Sequence, residues 1–203
     1  MSRLSTSFIL GYHGCDRSVG ERVLSGDLDL IQSDKEYDWL GPGVYFWEND
    51  PVRAREWADS KVRRGDYAET FVIGAVIDLG NCLDLLVREN LELLRWAYED
   101  FVARRDRAGL AMPENEDART GRPGDKLLRF LDCAVIRNLH SIIDDQPSGG
   151  HPEIGEYIEP FDTVRGMFTE GEHVYPGSGF YALTHTQVAV RTDRCIKGVF
   201  LPR

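Results

Sequence analysis

Three short segments carry side chains whose types suit recognition or proton transfer: Tyr12-His13-Gly14, Gly43-Val44-Tyr45-Phe46 and Gln187-Val188-Ala189-Val190-Arg191. Histidine changes charge near neutral pH, tyrosine offers an aromatic face with a polar tip, and glutamine both donates and accepts hydrogen bonds without charge. Successive side chains of a strand point to opposite faces. If Val44 and Phe46 face a core, Tyr45 looks away from it; if Val188 and Val190 face that core, Gln187 and Arg191 look away too. His13 ends an apolar run just where Gly14 lets the backbone approach a ligand. A His, a Tyr and a Gln on the non-core side of three strands would line one cleft. Taken singly, each has an ordinary structural role: a satisfied histidine at a strand end, a packed tyrosine, a solvated amide.

The elements that must position them are legible from periodicity. Phe8 to Gly14 reads as a buried strand, Arg17 to Leu24 as a short helix closed by Gly26, and Val44-Tyr45-Phe46 as a strand fed by the turn Gly41-Pro42-Gly43. Asp50 and Pro51 cap a helix running to about Val62, and Phe71 to Ile77 is a β-branched core strand. From about Arg88 to Ile143 the pattern turns helical. Leu91, Leu94, Ala97 and Phe101 form one stripe; Leu127, Phe130, Leu131, Val135, Ile136 and Leu139 form another, with a polar loop from Ala111 to Gly124 between them. Strands return at Thr163 to Phe168, Thr186 to Arg191 and Gly198 to Leu201. Strands at both ends around a helical insertion predict one α+β domain over 1–203, with the insertion at about 88–145.

Composition bounds the function classes. The chain is long enough for a sizeable core without disulfides or metal. Lys and Arg number 24 against 34 Asp and Glu, a formal net charge of -10, which argues against a binder that tracks phosphates without sequence preference. Only Lys61-Arg63-Arg64 and Arg104-Arg105-Arg107 form local basic spots, ordinary for helix ends. Cys15, Cys82, Cys133 and Cys195 are scattered without metal-ligand spacing, so no metal site is expected. No apolar run approaches the length of a membrane span, and Met1-Ser2-Arg3-Leu4-Ser5-Thr6 lacks the apolar region of a signal peptide. The expectation is a cytoplasmic protein with reduced thiols and no membrane partner.

Order and spacing add a resemblance. His13-Gly14 ends a first strand, Gly41-Pro42-Gly43-Val44-Tyr45-Phe46 follows some thirty residues later, and a helix with Ala54, Trp57 and Ala58 comes next. This resembles the first half of the ADP-ribosyltransferase fold, in its diphtheria-toxin and poly(ADP-ribose) polymerase branch, whose triad is His, Tyr and Glu. The match covers the first sixty residues well and the last forty loosely; the helical middle matches no form of the family. The resemblance implies a split β-sheet core and NAD as co-substrate. His13 would bond a ribose hydroxyl, the Gly14 backbone the nicotinamide carboxamide, and Tyr45 would stack on the nicotinamide, with Trp57 as a second aromatic wall or else a core residue of its helix.

The third triad position departs from the pattern, because Gln187 stands where the family has its glutamate. A glutamine can bond a ribose hydroxyl but has no charge with which to favour an oxocarbenium-like transition state. Glu170 and Glu172 lie in the loop ahead of that strand, where toxin members place acceptor-recognition residues; on charge alone they read as solvated loop carboxylates. The resemblance implies a mono-ADP-ribosyltransferase acting on a macromolecular acceptor, protein or nucleic acid. Such compact members are often bacterial toxins or phage-defence effectors held by an antitoxin or other inhibitory protein. The alternatives are an NAD glycohydrolase, an inactive module binding NAD, ADP-ribose or a protein, and, more distantly, an RNA 2′-phosphotransferase.

Overall fold

The computed structural model describes residues 8–119, 121–147, 150 and 157–203; the segment Met1 to Thr6 and Gly149 lie outside them. The chain opens with β1 (Phe8–Asp16), and its last residue caps α1 (Arg17–Ser25) by accepting from the Ser18 amide. Gly26, at φ 80°, ends that helix in the left-handed conformation. β2 (Val44–Glu48) leads into α2 (Pro51–Arg63), capped by Asp50 with Pro51 in the first turn, and β3 (Thr70–Asp78) and β4 (Cys82–Asp84) follow.

The insertion consists of α3 (Arg88–Ala108), the two-residue strands β5 (Asn115–Glu116) and β6 (Leu128–Arg129), and α4 (Phe130–Asp144). The stretch expected to be a plain polar loop therefore contributes β5, which pairs with β6. β7 (Thr163–Phe168), β8 (His185–Val190) and β9 (Ile196–Phe200) complete the chain.

Among the described residues, seven strands form one mixed sheet in the order β4-β7-β8-β2-β1-β3-β9, in which only β4 and β7 run parallel. The architecture is α+β. Arg165 on β7 ties three strands together, gripping both carboxylate oxygens of Glu48 on β2 (2.7 and 3.1 Å) and Asp84 on β4 (2.9 Å).

Both faces of the sheet are covered. On one face Val44, Phe46, Ala75, Ile77, Val188 and Val190 form a core, extended by Cys15, Val23 and Ile73 under α1. On the other, Leu83, Val164 and Ala189 meet Ala97 of α3 and Val135, Ile136, Leu139 and Ile143 of α4, while Ala54 of α2 packs with Trp47 and Val72. This second core corrects one expectation. Tyr45 does turn away from Val44 and Phe46, but it enters the core made by the insertion instead of an open face. Among the described residues, no helix is long and apolar enough to cross a membrane, no group of His, Cys, Asp or Glu could hold a metal, and all four cysteines are free thiols.

Candidate functional site

The join between β1 and β2 is the narrowest in the sheet. It consists of Gly11 opposite Glu48 and Tyr12 opposite Trp47, preceded by the Asn49 amide donating to the Leu10 carbonyl at 2.9 Å. In an antiparallel pair alternate residues turn their N–H and C=O toward the same neighbour, so Leu10, Tyr12 and Gly14 face β2. The next rung would join Gly14 to Tyr45, and the ladder stops before it. The Tyr45 carbonyl lies 2.8 Å from His13 Nδ1. A carbonyl only accepts, so Nδ1 carries the proton and Nε2 of the neutral ring is left as an acceptor. Burial pushes the His13 ring below its ordinary value and outweighs the bond to Tyr45, which keeps the ring neutral at physiological pH.

Alternation and contacts place the three side chains on different faces. His13 shares the face of Phe46, whose ring it meets at 5.8 Å. Tyr45 and Gln187 share the other, Tyr45 lying opposite Ala189 and Trp47 opposite Gln187. The single cleft expected from the sequence, with all three side chains on one non-core side, is therefore not formed; what joins His13 to Tyr45 is a ring-to-backbone bond. The Tyr45 hydroxyl donates to the Gly41 carbonyl (2.8 Å) and accepts from the Leu40 amide (3.0 Å), holding the turn that precedes its own strand. Burial lifts that phenol well above its ordinary value. Removing the hydroxyl with Tyr45→Phe strands two backbone groups and is expected to cost about 2 kcal/mol, read as a lower urea midpoint at unchanged slope.

Gln187 is 9 % exposed, and its carbonyl oxygen accepts from Trp39 Nε1 at 2.7 Å. Its amide nitrogen makes no hydrogen bond among the described residues. Trp57 sits against Trp47 (5.8 Å) and Tyr67 (5.9 Å), with the Lys61 ammonium 5.2 Å above its ring. It is a wall of the α2 layer and has Trp47, not Tyr45, as its ring partner.

Glu170 corrects its expectation: it is half-buried and paired with Arg53 Nη2 of α2 at 2.9 Å. Burial raises its pKa while the guanidinium pulls the other way. Glu172 is exposed, as expected of a loop carboxylate. Of the basic spots, Lys61 and Arg64 share Asp66, Arg104 pairs with Asp100, and the Arg105 guanidinium lies over Phe101.

Residues that sequence patterns passed over complete the site. Rings run in contact from Trp57 to Trp47, on to His185 (6.4 Å), Phe168 (5.6 Å from His185) and Trp39 (5.1 Å from Phe168). His185 Nδ1 donates to the Leu183 carbonyl at 2.7 Å, and burial lowers its pKa. The indole N–H of Trp47 is buried with no acceptor among the described residues. The clue to these residues was the tryptophan flanking each motif, Trp39 and Trp47, which alternation alone assigns to packing. Compared with protein-family models, with curated proteins and with solved structures, the chain finds no match.

Proposed function

We propose that the chain has an ADP-ribosyltransferase-like fold, binds NAD where β1 and β2 part, and transfers a single ADP-ribose to a macromolecular acceptor. The observation that carries this is the interrupted ladder: the Tyr45 carbonyl pairs with His13 Nδ1 at the point where Gly14 would otherwise have been its partner. Gly14 is left facing the gap with one donor and one acceptor, the complement of a carboxamide. The free Nε2 of a neutral His13 suits a ribose hydroxyl as donor. The indole N–H of Trp47, on the last rung of the ladder and cross-strand from Gln187, is a further donor without an acceptor among the described residues.

In the reaction the bond between ribose C1′ and the nicotinamide nitrogen breaks and its electron pair leaves with neutral nicotinamide. The acceptor nucleophile forms the new bond at C1′ and its proton passes to solvent. Gln187 orients the ribose through its free amide but adds no charge, so the transition state is stabilised by positioning more than by electrostatics. Glu170, neutralised by Arg53, supplies acceptor-side polarity and not a free base.

Incubation with labelled NAD and a cell lysate tests the proposal. Nicotinamide release with labelled macromolecule is expected, falling at least tenfold in His13→Ala and rising in Gln187→Glu, where the Trp39 indole is already placed to hold a carboxylate. Absence of NAD-dependent thermal stabilisation would refute it. The held, uncharged Gln187 favours one second function, an inactive NAD-binding module; stabilisation by NAD with no nicotinamide release from either wild type or Gln187→Glu would establish that instead. Release without any labelled acceptor would mark a glycohydrolase. A role as a toxin or defence effector restrained by a protein inhibitor belongs to the same proposal.

A further inference from the structure

A cleft of about 710 Å³, with Trp39 in its lining, opens between α3, α4 and β7. Its volume is that of a small-molecule site, for which the usual span is roughly 300–1,000 Å³. The floor is apolar, built from Leu94, Val135 and Ile136. The rim leaves large apolar groups in water: Leu86 is 47 % exposed, Leu91 46 %, Tyr98 42 % and Met167 53 %. A contiguous exposed patch of this kind marks a binding surface.

The charges of the lining run against the character of the chain. Two guanidiniums, Arg95 and Arg129, stand against the single carboxylate of Asp132, in a protein of net charge -10. The Arg129 guanidinium lies over the Phe168 ring, 4.6 Å from its centroid, and its Nη1 is 3.3 Å from Asp132, so that carboxylate is already engaged. Arg95 makes no ion pair or hydrogen bond among the described residues and stands exposed on the α3 wall. Three aromatic rings, Trp39, Tyr98 and Phe168, complete the lining. An apolar floor, flat aromatic and guanidinium walls and one unneutralised cation at the mouth describe a ligand by complement.

We propose that this cleft binds a small amphipathic anion with a flat aromatic body, of the aryl phosphate or aryl carboxylate class, whose anionic group is held by Arg95. The ring lies against the floor and the Trp39 wall, with Arg129 adding a cation–π face. Arg95 supplies a charge-assisted bond in a partly desolvated site, where such bonds are strongest. The site is separate from the β1–β2 gap and needs no NAD. It meets the other site at two residues: the Trp39 indole lining the cleft holds the Gln187 amide, and the Phe168 ring lies 5.6 Å from His185.

The test is calorimetric titration of the full chain with naphthyl phosphate, naphthol and inorganic phosphate as probes. Saturable one-to-one binding of naphthyl phosphate is expected, at least tenfold tighter than either of the others. Arg95→Met, which keeps the stem and removes the charge, is expected to weaken it about tenfold, and Arg95→Lys to restore most of the loss. Leu91→Trp, at a half-exposed rim position that leaves the floor intact, is expected to block the mouth; melting temperatures of both variants near wild type exclude unfolding as the cause. Naphthol binding as tightly as naphthyl phosphate, an unchanged affinity in Arg95→Met or in Leu91→Trp, or displacement of the probe by NAD would each overturn the proposal. None of these outcomes depends on turnover of NAD, and absence of turnover leaves the probe titration unaffected.

Discussion

Gly14→Ala is expected to lower the free energy of unfolding by about 3 kcal/mol, at the upper end of what one added methyl does to a packed interior. A Cβ at Gly14 would lie 2.2 Å from the Ala54 carbonyl oxygen and 3.2 Å from the Ala58 Cβ. The first contact is with backbone, so no side chain can swing aside. α2 would have to lift from the sheet, yet Ala54 and Ala58 are fully buried and the helix start is fixed by Asp50 accepting from the Arg53 amide. The same glycine supplies the amide and carbonyl that face the β1–β2 gap, so under the proposed function the variant loses NAD-dependent stabilisation as well. Urea unfolding followed by circular dichroism measures the first effect. A midpoint indistinguishable from wild type would show that α2 does not ride on β1 at this point.

Acid is expected to destabilise the protein through His140 more than through any exposed carboxylate. His140 is 5 % exposed on α4, neither ring nitrogen has a hydrogen-bond partner among the described residues, and the ring stands edge-on to Phe161 at 6.3 Å. Burial, helped by the nearby Arg191 charge, lowers its pKa from 6.5 to about 3. The unfolded chain takes up this proton near pH 6.5 while the folded chain refuses it until about pH 3. Over that window the unfolded state binds more protons, so stability is full above pH 6.5 and is lost as pH falls toward 3. Between pH 6.5 and 4.5 the loss from this one residue is about 2 to 3 kcal/mol. His13 and His185, whose pKa values are also lowered by burial, act in the same direction. His140→Phe keeps an aromatic ring against Phe161 and removes the titrating group. Its stability is expected to vary less with pH than that of wild type, and parallel pH profiles for the two proteins would contradict the assignment.

The elements bearing the motifs were legible because their signals are local. The Asp50 cap, the Gly26 stop, the β-branched run in β3 and the alternation in β2 and β8 each sit within a few residues of what they control. What sequence missed is of two kinds. β4, with three residues, and β5 and β6, with two each, are too short for alternation to register. The larger miss concerns sides. A sheet buried on both faces makes the residue opposite a core residue another core residue, so Tyr45 looked outward when it is covered by α3 and α4. The contacts that organise the site are also remote in sequence: Trp39 holds Gln187 across 148 residues and Arg53 holds Glu170 across 117. No window along the chain contains both partners, and Glu170 was accordingly read as a free loop charge.

The strand order has a kinetic consequence. β2 finds its neighbour β8, and β3 its neighbour β9, only at the far end of the chain, with the whole helical insertion made in between. In a chain synthesised from its N-terminus, β1, β2 and β3 can assemble early as an antiparallel trio with two naked edges. One edge waits for β8 and the other for β9. Loop closure over such spans is slow, and unpaired edges are templates for pairing with other chains. The insertion, whose own two helices pack locally, can fold during this wait. Refolding is therefore expected to be limited by docking of the last strands, and crowding of nascent chains to be most harmful in that interval.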